Sequence, residues 1–133
     1  MDYLEAYTDG SFDNVRAGWG FVSISKDGKD KEDICFVKGE EDVKVTTNNR
    51  MELTAVLKVL GFHNQKNIKI YTDSQLTMNC AQGIFKRKAN LDLWEEYDKF
   101  SSKRNITWFK VKAHSGNKYN EIADSLAKGI FPR

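Results

Sequence analysis

The chain has 133 residues, 30% of them charged and 40% hydrophobic, which suits one domain (residues 1–133) whose core needs no disulfide or structural metal. Its net charge of +2 is too small to identify a polyanionic partner by itself. Cys35 and Cys80 lack the spacing of a zinc site, and no apolar run approaches the roughly 18 residues of a membrane span, so we expect a cytoplasmic protein that does not enter the membrane.

The first third of the chain alternates apolar and polar residues, as half-buried strands do. Residues 3–8 predict a strand that ends in a turn beginning at Asp9. Residues 18–25 and 33–38 predict two further strands, with a hairpin turn at 26–29 between them. This order indicates three antiparallel strands.

A helix is predicted next, because apolar residues then recur at helical spacing. Thr47 or Asn48 can cap its N-terminus, and Gly61 is the expected stop. Glu52 lies in the first turns of this helix.

The middle of the chain repeats the arrangement of a strand followed by an acidic turn. Residues 67–72 predict a strand that ends at Asp73, and residues 75–81 predict a short helix closed by Gly83.

The last third predicts a helix at 91–100, a strand at 106–112 and a helix at 119–128 that carries Asp124. The chain is therefore expected to fold as an α/β domain with a five-stranded mixed sheet flanked by helices. Three antiparallel strands come first and two parallel strands are added. The strands that end at Asp9 and Asp73 should be central neighbours, because a shared site at their carboxyl ends would need both aspartates.

Each aspartate alone is an ordinary turn or cap residue, but four blocks of sequence together are more specific. They read YTDGS at 7–11, TNNRMEL at 47–53, YTDSQ at 71–75, and AHSG at 113–116 with NEIAD at 120–124. In this order, the blocks closely resemble type 1 ribonuclease H, and the resemblance covers nearly the whole chain.

The resemblance implies an α/β ribonuclease H-like fold and an endonuclease that hydrolyses the RNA strand of RNA/DNA hybrids, leaving 5′-phosphate and 3′-hydroxyl ends. It places an acidic, metal-binding tetrad at Asp9, Glu52, Asp73 and Asp124, and an auxiliary catalytic role at His114. Two Mg²⁺ ions are the expected cofactors, with Mn²⁺ able to substitute, because four clustered carboxylates repel one another unless cations neutralise them. We expect a monomer.

Contacts to the hybrid are implied for short polar residues beside the acidic positions. They are Gly10, Ser11, Asn14, Thr47, Asn48, Asn49 and Gln75. Thr47 matches the family's phosphate pocket for the DNA strand. The alternative role for Asn14, Asn48 and Thr47 is to cap turns or the helix start. Asn14 lies in a loop that differs from the family's glycine- and proline-rich segment.

One departure from the best-known bacterial members is the lack of their long basic handle between the fourth strand and the helix at 91–100. Lys86, Arg87 and Lys88 are either its remnant, contacting phosphates, or a solvated charge run. Glu121 shares a helix face with Asp124 and can support the helix or approach the metals.

Two rival functions remain open at this stage. Integrases, transposases and junction resolvases use similar acidic metal sites on DNA, and a noncatalytic nucleic-acid-binding domain can retain the fold without the metals. The block around Glu52 favours the ribonuclease over the first rival, and the intact tetrad argues against the second.

Overall fold

The computed structural model describes residues 2–27, 32–112 and 115–131, and the side chain of Val45 is not among the described parts. His114 and part of the predicted hairpin turn at 26–29 lie outside these ranges. The elements, in chain order, are β1 (Tyr3–Phe12), β2 (Ala17–Lys26), β3 (Glu32–Glu41), a 3₁₀ turn (Val43–Val45), α1 (Asn48–Phe62), β4 (Asn67–Thr72), α2 (Gln75–Ala81), α3 (Leu91–Ser101), β5 (Asn105–Lys110) and α4 (Lys118–Ala127). None of the helices in these ranges is long and apolar enough to cross a membrane.

The five strands form one mixed sheet in the order β3-β2-β1-β4-β5. β1 pairs antiparallel with β2, and β2 pairs antiparallel with β3. β4 pairs parallel with both β1 and β5. The predicted α/β class is confirmed, as is the prediction that β1 and β4 are central neighbours.

The larger part of the core lies between the sheet and α1. Leu4 and Ala6 of β1 pack with Ile68 and Ile70 of β4 in the same buried cluster as the inner face of α1. Successive side chains of a strand point to opposite faces, so Tyr7 points to the other face and packs in the cluster that contains residues of α4. α1 and α4 therefore approach β1 from opposite sides.

The boundaries of β4 and α2 are those predicted, whereas several others differ. β3 runs on to Glu41 instead of ending at 38, β5 ends at Lys110 instead of 112, and β1 and α1 also extend past their predicted ends. β1 continues past the predicted turn at Asp9 as far as Phe12, because β2 offers an antiparallel partner up to the pair of Phe12 with Ala17. Gly61 does not stop α1, which ends after Phe62 with a hydrogen bond from the His63 N–H to a carbonyl one turn earlier. The glycine is simply an exposed residue of the last helical turn.

Candidate active site

The register of β1 and β4 brings two aspartates side by side. Parallel pairing of these strands ends at Thr8 with Thr72, and Asp9 and Asp73 are the next residues on each chain segment. Because the carboxyl ends of parallel strands meet at one edge of a sheet, the two carboxyl groups leave the sheet at the same point. Asp9 is buried and Asp73 is half-buried.

Glu52 reaches this point from α1, which lies close to β1 because residue 10 is glycine. A Cβ built at Gly10 would collide with the backbone of Met51 and Glu52. The Gly10 N–H donates to Asp9 Oδ1 at 2.9 Å, which orients the carboxyl group that lies next to Glu52. Thr47 begins the helix by accepting a hydrogen bond from the Arg50 N–H at 3.2 Å.

Three of the predicted carboxyl groups form a compact cluster. Asp9, Glu52 and Asp73 each offer an oxygen that lies within 4.8 Å of the other two. Among the described residues, Asp124 is not part of that compact group, but it adjoins Asp9 and interacts with its side chain.

The cluster strongly disfavours negative charge. Burial raises the pKa of Asp9 to about 7; a hydrogen bond with Glu52 opposes the rise, whereas the charges of Asp73 and Asp124 add to it. Burial, followed by the charge of Asp9, raises the pKa of Glu52 well above its ordinary range. Like charges brought together away from water account for both shifts.

The donors fit a hard divalent cation. All are carboxylate oxygens, the ligand type that Mg²⁺ prefers. The Oε2 atom of Glu52 is buried and has no hydrogen-bond partner within the described part of the chain, although buried polar atoms are nearly always partnered. A cation would satisfy this oxygen and relieve the repulsion within the cluster.

Asp124 has a cationic partner on its own helix. Lys128 Nζ lies 3.1 Å from Asp124 Oδ2, one helical turn further along α4. Sequence reasoning missed Lys128, although its spacing of four residues after the predicted ligand Asp124 was a signal that could have found it.

The residues predicted to contact the hybrid lie on β1, in the β1–β2 hairpin and at the starts of α1 and α2. Asn48 and Asn49 are exposed in the first turn of α1, next to Glu52 in the chain. Thr47 is the N-cap, so the capping alternative accounts for its side chain. Asn49 also lines a small cavity of about 180 Å³ together with Lys86 and Lys88.

The remaining predicted contacts differ in how closely they are tied to the site. Ser11 is half-buried near the end of β1, and Gln75 is exposed at the start of α2, where it donates to Asn79 at 3.0 Å. Asn14 is exposed in the β1–β2 hairpin with a φ of +70°. Its turn conformation accounts for an asparagine at that position.

The loop before α4 is described only in part, and His114 is outside the described residues. Glu121 is exposed and accepts a hydrogen bond from the Gly116 N–H at 3.3 Å. It therefore supports the loop that leads into α4.

The predicted lack of a handle is borne out, since only residues 82–90 connect α2 and α3. Arg87 is engaged inside the molecule. It pairs with Asp98 at 2.8 Å, donates to the Cys80 carbonyl at 3.1 Å and stacks over Trp94. Lys86 and Lys88 are exposed.

Arg16 is a second residue that sequence reasoning missed. It follows the hairpin turn, pairs with Glu40 of β3 and donates to the carbonyl of Ala127 at the end of α4. A Cβ at Gly18 or Gly129 would meet its guanidinium, so these two glycines leave it the room it occupies.

Comparisons with known proteins agree with this architecture. The RNase H family matches residues 1–131. The ribonuclease H of Francisella philomiragia is 44% identical over 138 aligned residues, which cover 92% of this chain and 86% of that protein. The structure of LC9-RNase H1, a type 1 RNase H with the type 2 active-site motif, has a TM-score of 0.78 at 26% identity, over 97% of this chain and 72% of that one. LC11-RNase H1, solved in complex with an RNA/DNA hybrid, shares the fold with a TM-score of 0.64 at 18% identity, over 95% of this chain and 97% of that one. The predicted ribonuclease H-like fold is confirmed, and the chain belongs to the RNase H family of ribonucleases.

Proposed function

We propose that this protein is an endonuclease that hydrolyses the RNA strand of RNA/DNA hybrids with two Mg²⁺ ions, leaving 5′-phosphate and 3′-hydroxyl ends. The observation that carries the proposal is the convergence of Asp9, Glu52 and Asp73 within 4.8 Å, in a member of the RNase H family. A protein of the same fold has been solved with a hybrid bound, which supports the substrate class.

The four carboxylates would hold the cations, with Asp9, Glu52 and Asp73 as one group and Asp124 beside Asp9 as the further ligand. When bound, two divalent cations supply activation of a water for in-line attack on phosphorus and stabilisation of the departing 3′ oxygen. Mn²⁺ has the same preference for oxygen ligands and can substitute.

The protein's own residues position these ligands. The end of the β1–β4 pairing fixes Asp9 and Asp73, the close packing of α1 on Gly10 places Glu52 beside them, and α4 brings Asp124 from the opposite face. Preorganised ligands need no rearrangement during the reaction, which is the source of their electrostatic effect.

The hybrid would lie across the same edge of the sheet. We assign minor-groove and sugar contacts to Asn48, Asn49 and Gln75, the exposed members of the predicted set nearest in sequence to the carboxylates. Gly10 and Ser11 would let the backbone approach a sugar, and Asn14 and Thr47 are retained as weaker candidates. Recognition through 2′-hydroxyls and sugar shape suits such side chains, because it reads no base sequence. His114 is proposed to assist proton handling.

The test is a cleavage assay with labelled RNA/DNA hybrid, duplex RNA, duplex DNA and single strands, each with Mg²⁺, Mn²⁺ or EDTA. We expect metal-dependent cutting of RNA in the hybrid only, with 5′-phosphate ends on the products. Cutting of duplex DNA would favour a DNA nuclease of the same fold. Hybrid binding without cleavage in any metal would favour a noncatalytic binding domain.

Asp73→Asn tests the site within that assay. Loss of an outer partner of a metal ligand costs roughly 10- to 100-fold, so loss of a direct ligand should slow cleavage by at least about 100-fold while hybrid binding persists. Asp33→Asn, an exposed position on β3, is the matched control with the same change of charge, and it should cleave at the wild-type rate. Undiminished cleavage by Asp73→Asn would refute the assignment.

Three further predictions accompany this function. We propose that residues 1–133 act as one domain, that the protein is a monomer, and that it works in the cytoplasm. The family match over residues 1–131 supports the first of these.

A further inference from the structure

Asp124 has a lysine as its partner. The aspartate lies outside the compact group formed by the other three carboxylates, and its Oδ2 is 3.1 Å from Lys128 Nζ. The two side chains are 28% and 52% exposed, so a cation from solution can reach both. The pair lies on one helix, four residues apart.

We propose that Lys128 is a tethered counter-ion of Asp124 that competes with the second divalent cation. The inference rests on the proposed function, in which the tetrad binds two cations. The cation held by Asp9, Glu52 and Asp73 would not have to displace Lys128, because Lys128 pairs with Asp124. For the second cation to bind, the Asp124 carboxylate would have to release Lys128 and coordinate the metal instead.

The charges around Asp124 support this role. Asp124 adds to the raised pKa of Asp9, so the two carboxyl groups are close enough to repel each other. The ammonium of Lys128 offsets that repulsion in the metal-free protein, as a divalent cation would. The same positive charge then opposes the arrival of a second cation, because like charges repel at this distance.

The backbone explains why Lys128 can hold this position. Its N–H donates to the carbonyls of Asp124 and Ser125 at the end of α4, so the side chain starts from a fixed point. A lysine at the C-terminal end of a helix also interacts favourably with the helix dipole. A neutral substitution keeps the backbone hydrogen bonds but removes the charge and its interaction with the dipole, whereas arginine keeps both.

The test is isothermal titration calorimetry with Mn²⁺ and no substrate, on wild type, Lys128→Met and Lys128→Arg. Exposed ion pairs contribute about 0.2 to 1 kcal/mol, so Lys128→Met should tighten the weaker Mn²⁺ site by about 1.4- to fivefold and leave the tighter site unchanged. If wild type shows one binding event, Lys128→Met should reveal a second. Lys128→Arg should resemble wild type.

Two controls separate this role from a general effect of charge. Lys99→Met removes a lysine that pairs with Glu95 at the same four-residue spacing on α3, at 3.7 Å, and it should not alter Mn²⁺ binding. In an Asp124→Asn background, Lys128→Met should have no effect, because the carboxylate that it competes for is gone. Thermal melts of each variant confirm that it is folded.

The outcomes distinguish the two proposals. An unchanged Mn²⁺ isotherm in Lys128→Met overturns the role of Lys128 and leaves the tetrad assignment standing. An equal gain in affinity in Lys99→Met overturns it as well. Absence of Mn²⁺ binding by wild type, or binding unaffected by Asp73→Asn, contradicts the metal centre itself and with it this inference.

Discussion

The burial of Asp9 has an energetic cost in the metal-free protein. Asp9 is 4% exposed, and burial raises its pKa from 3.8 to about 7. Between these values the folded state keeps a proton that the unfolded chain has lost. Stability must therefore fall as the pH rises through this window, and the cost is complete above about pH 7. Glu52 shifts in the same direction.

Asp9→Asn should therefore stabilise the metal-free protein at neutral pH. The rise in the pKa of Asp9 from 3.8 to about 7 corresponds to a loss of at most about 4 kcal/mol in the free energy of unfolding. Asp9→Asn should recover only part of this loss, because Asp9 and Glu52 interact and the substitution removes only one of the two charges. Urea unfolding in EDTA at pH 4 to 8 checks this. The gain over wild type should be absent near pH 4 and reach its full value above pH 7.

Asp13→Asn is a control that should change the stability at pH 7 in the opposite direction, because the pKa of Asp13 is lowered. Backbone N–H groups of Arg16 and Val15 donate to the exposed Asp13 carboxylate and lower its pKa. Its contribution is present above the unfolded pKa and is lost as the pH falls through the folded one. Asp13→Asn should therefore lower stability at pH 7. A pH-independent gain in Asp9→Asn would show that its cause is not the buried charge.

At the scale of elements, the close approach of α1 to β1 depends on Gly10. A Cβ there would lie 2.8 Å from the Met51 Cβ and closer still to the helix backbone. Gly10→Ala should therefore push α1 away from the strand and destabilise the protein by about 1 to 3 kcal/mol. The same displacement moves Glu52, so cleavage should fall more than stability alone explains.

Gly61→Ala is the matched comparison for Gly10→Ala. The Gly61 position is exposed and helical, and among the described residues a Cβ there would come within 4 Å of Phe100 alone, at 4.0 Å. Alanine has the higher helix propensity, so this variant should gain about 0.5 to 1 kcal/mol. Chemical denaturation of both variants measures the difference. Equal stabilities would contradict the packing role of Gly10.

The elements also show what the sequence could and could not predict. β4 and α2 were predicted to the residue, because a compact apolar strand runs directly into Ser74, which caps α2. The extension of β1 to Phe12 was not predictable locally, since its cause is the pairing with β2. The position of Arg16 was not predictable either, because its partner carbonyl lies 111 residues away.

The carboxylates were named from sequence blocks, and the sheet register explains why two of them meet. Sequence did not reveal that Asp124 stands apart from the compact group, because that depends on how α4 lies against the sheet and on Lys128. It also could not tell which cations of the 86–88 run are available. Arg87 has internal partners from α2 and α3, which are separate in the chain.

At the scale of the whole molecule, the net charge is only +2, so phosphate binding would depend on a few exposed lysines. Lys86 and Lys88 are exposed and line a cavity with Asn49, whose helix also carries Glu52. They are therefore on the same side as the start of α1. Arg87 lies between them in sequence but is held by Asp98 and Trp94. Residues 86–88 are thus expected to contribute at most two cations, Lys86 and Lys88, to hybrid binding.

Replacing Lys86 and Lys88 together with alanine should weaken hybrid binding without lowering stability. Each phosphate contact adds about 0.9 to the slope of log K against log salt for a B-form duplex, so loss of both should reduce the slope by up to about 2. Fluorescence anisotropy at several salt concentrations measures this, in an Asp73→Asn background that is expected to cleave at least about 100-fold more slowly. Arg87→Met should leave the slope unchanged and lower stability by about 1 to 2 kcal/mol, because it loses the stacking and the carbonyl hydrogen bond. An unaltered salt slope in the double variant would identify Lys86 and Lys88 as solvated charges. A reduced slope in Arg87→Met would mean that the wild-type guanidinium leaves Asp98 to contact phosphate.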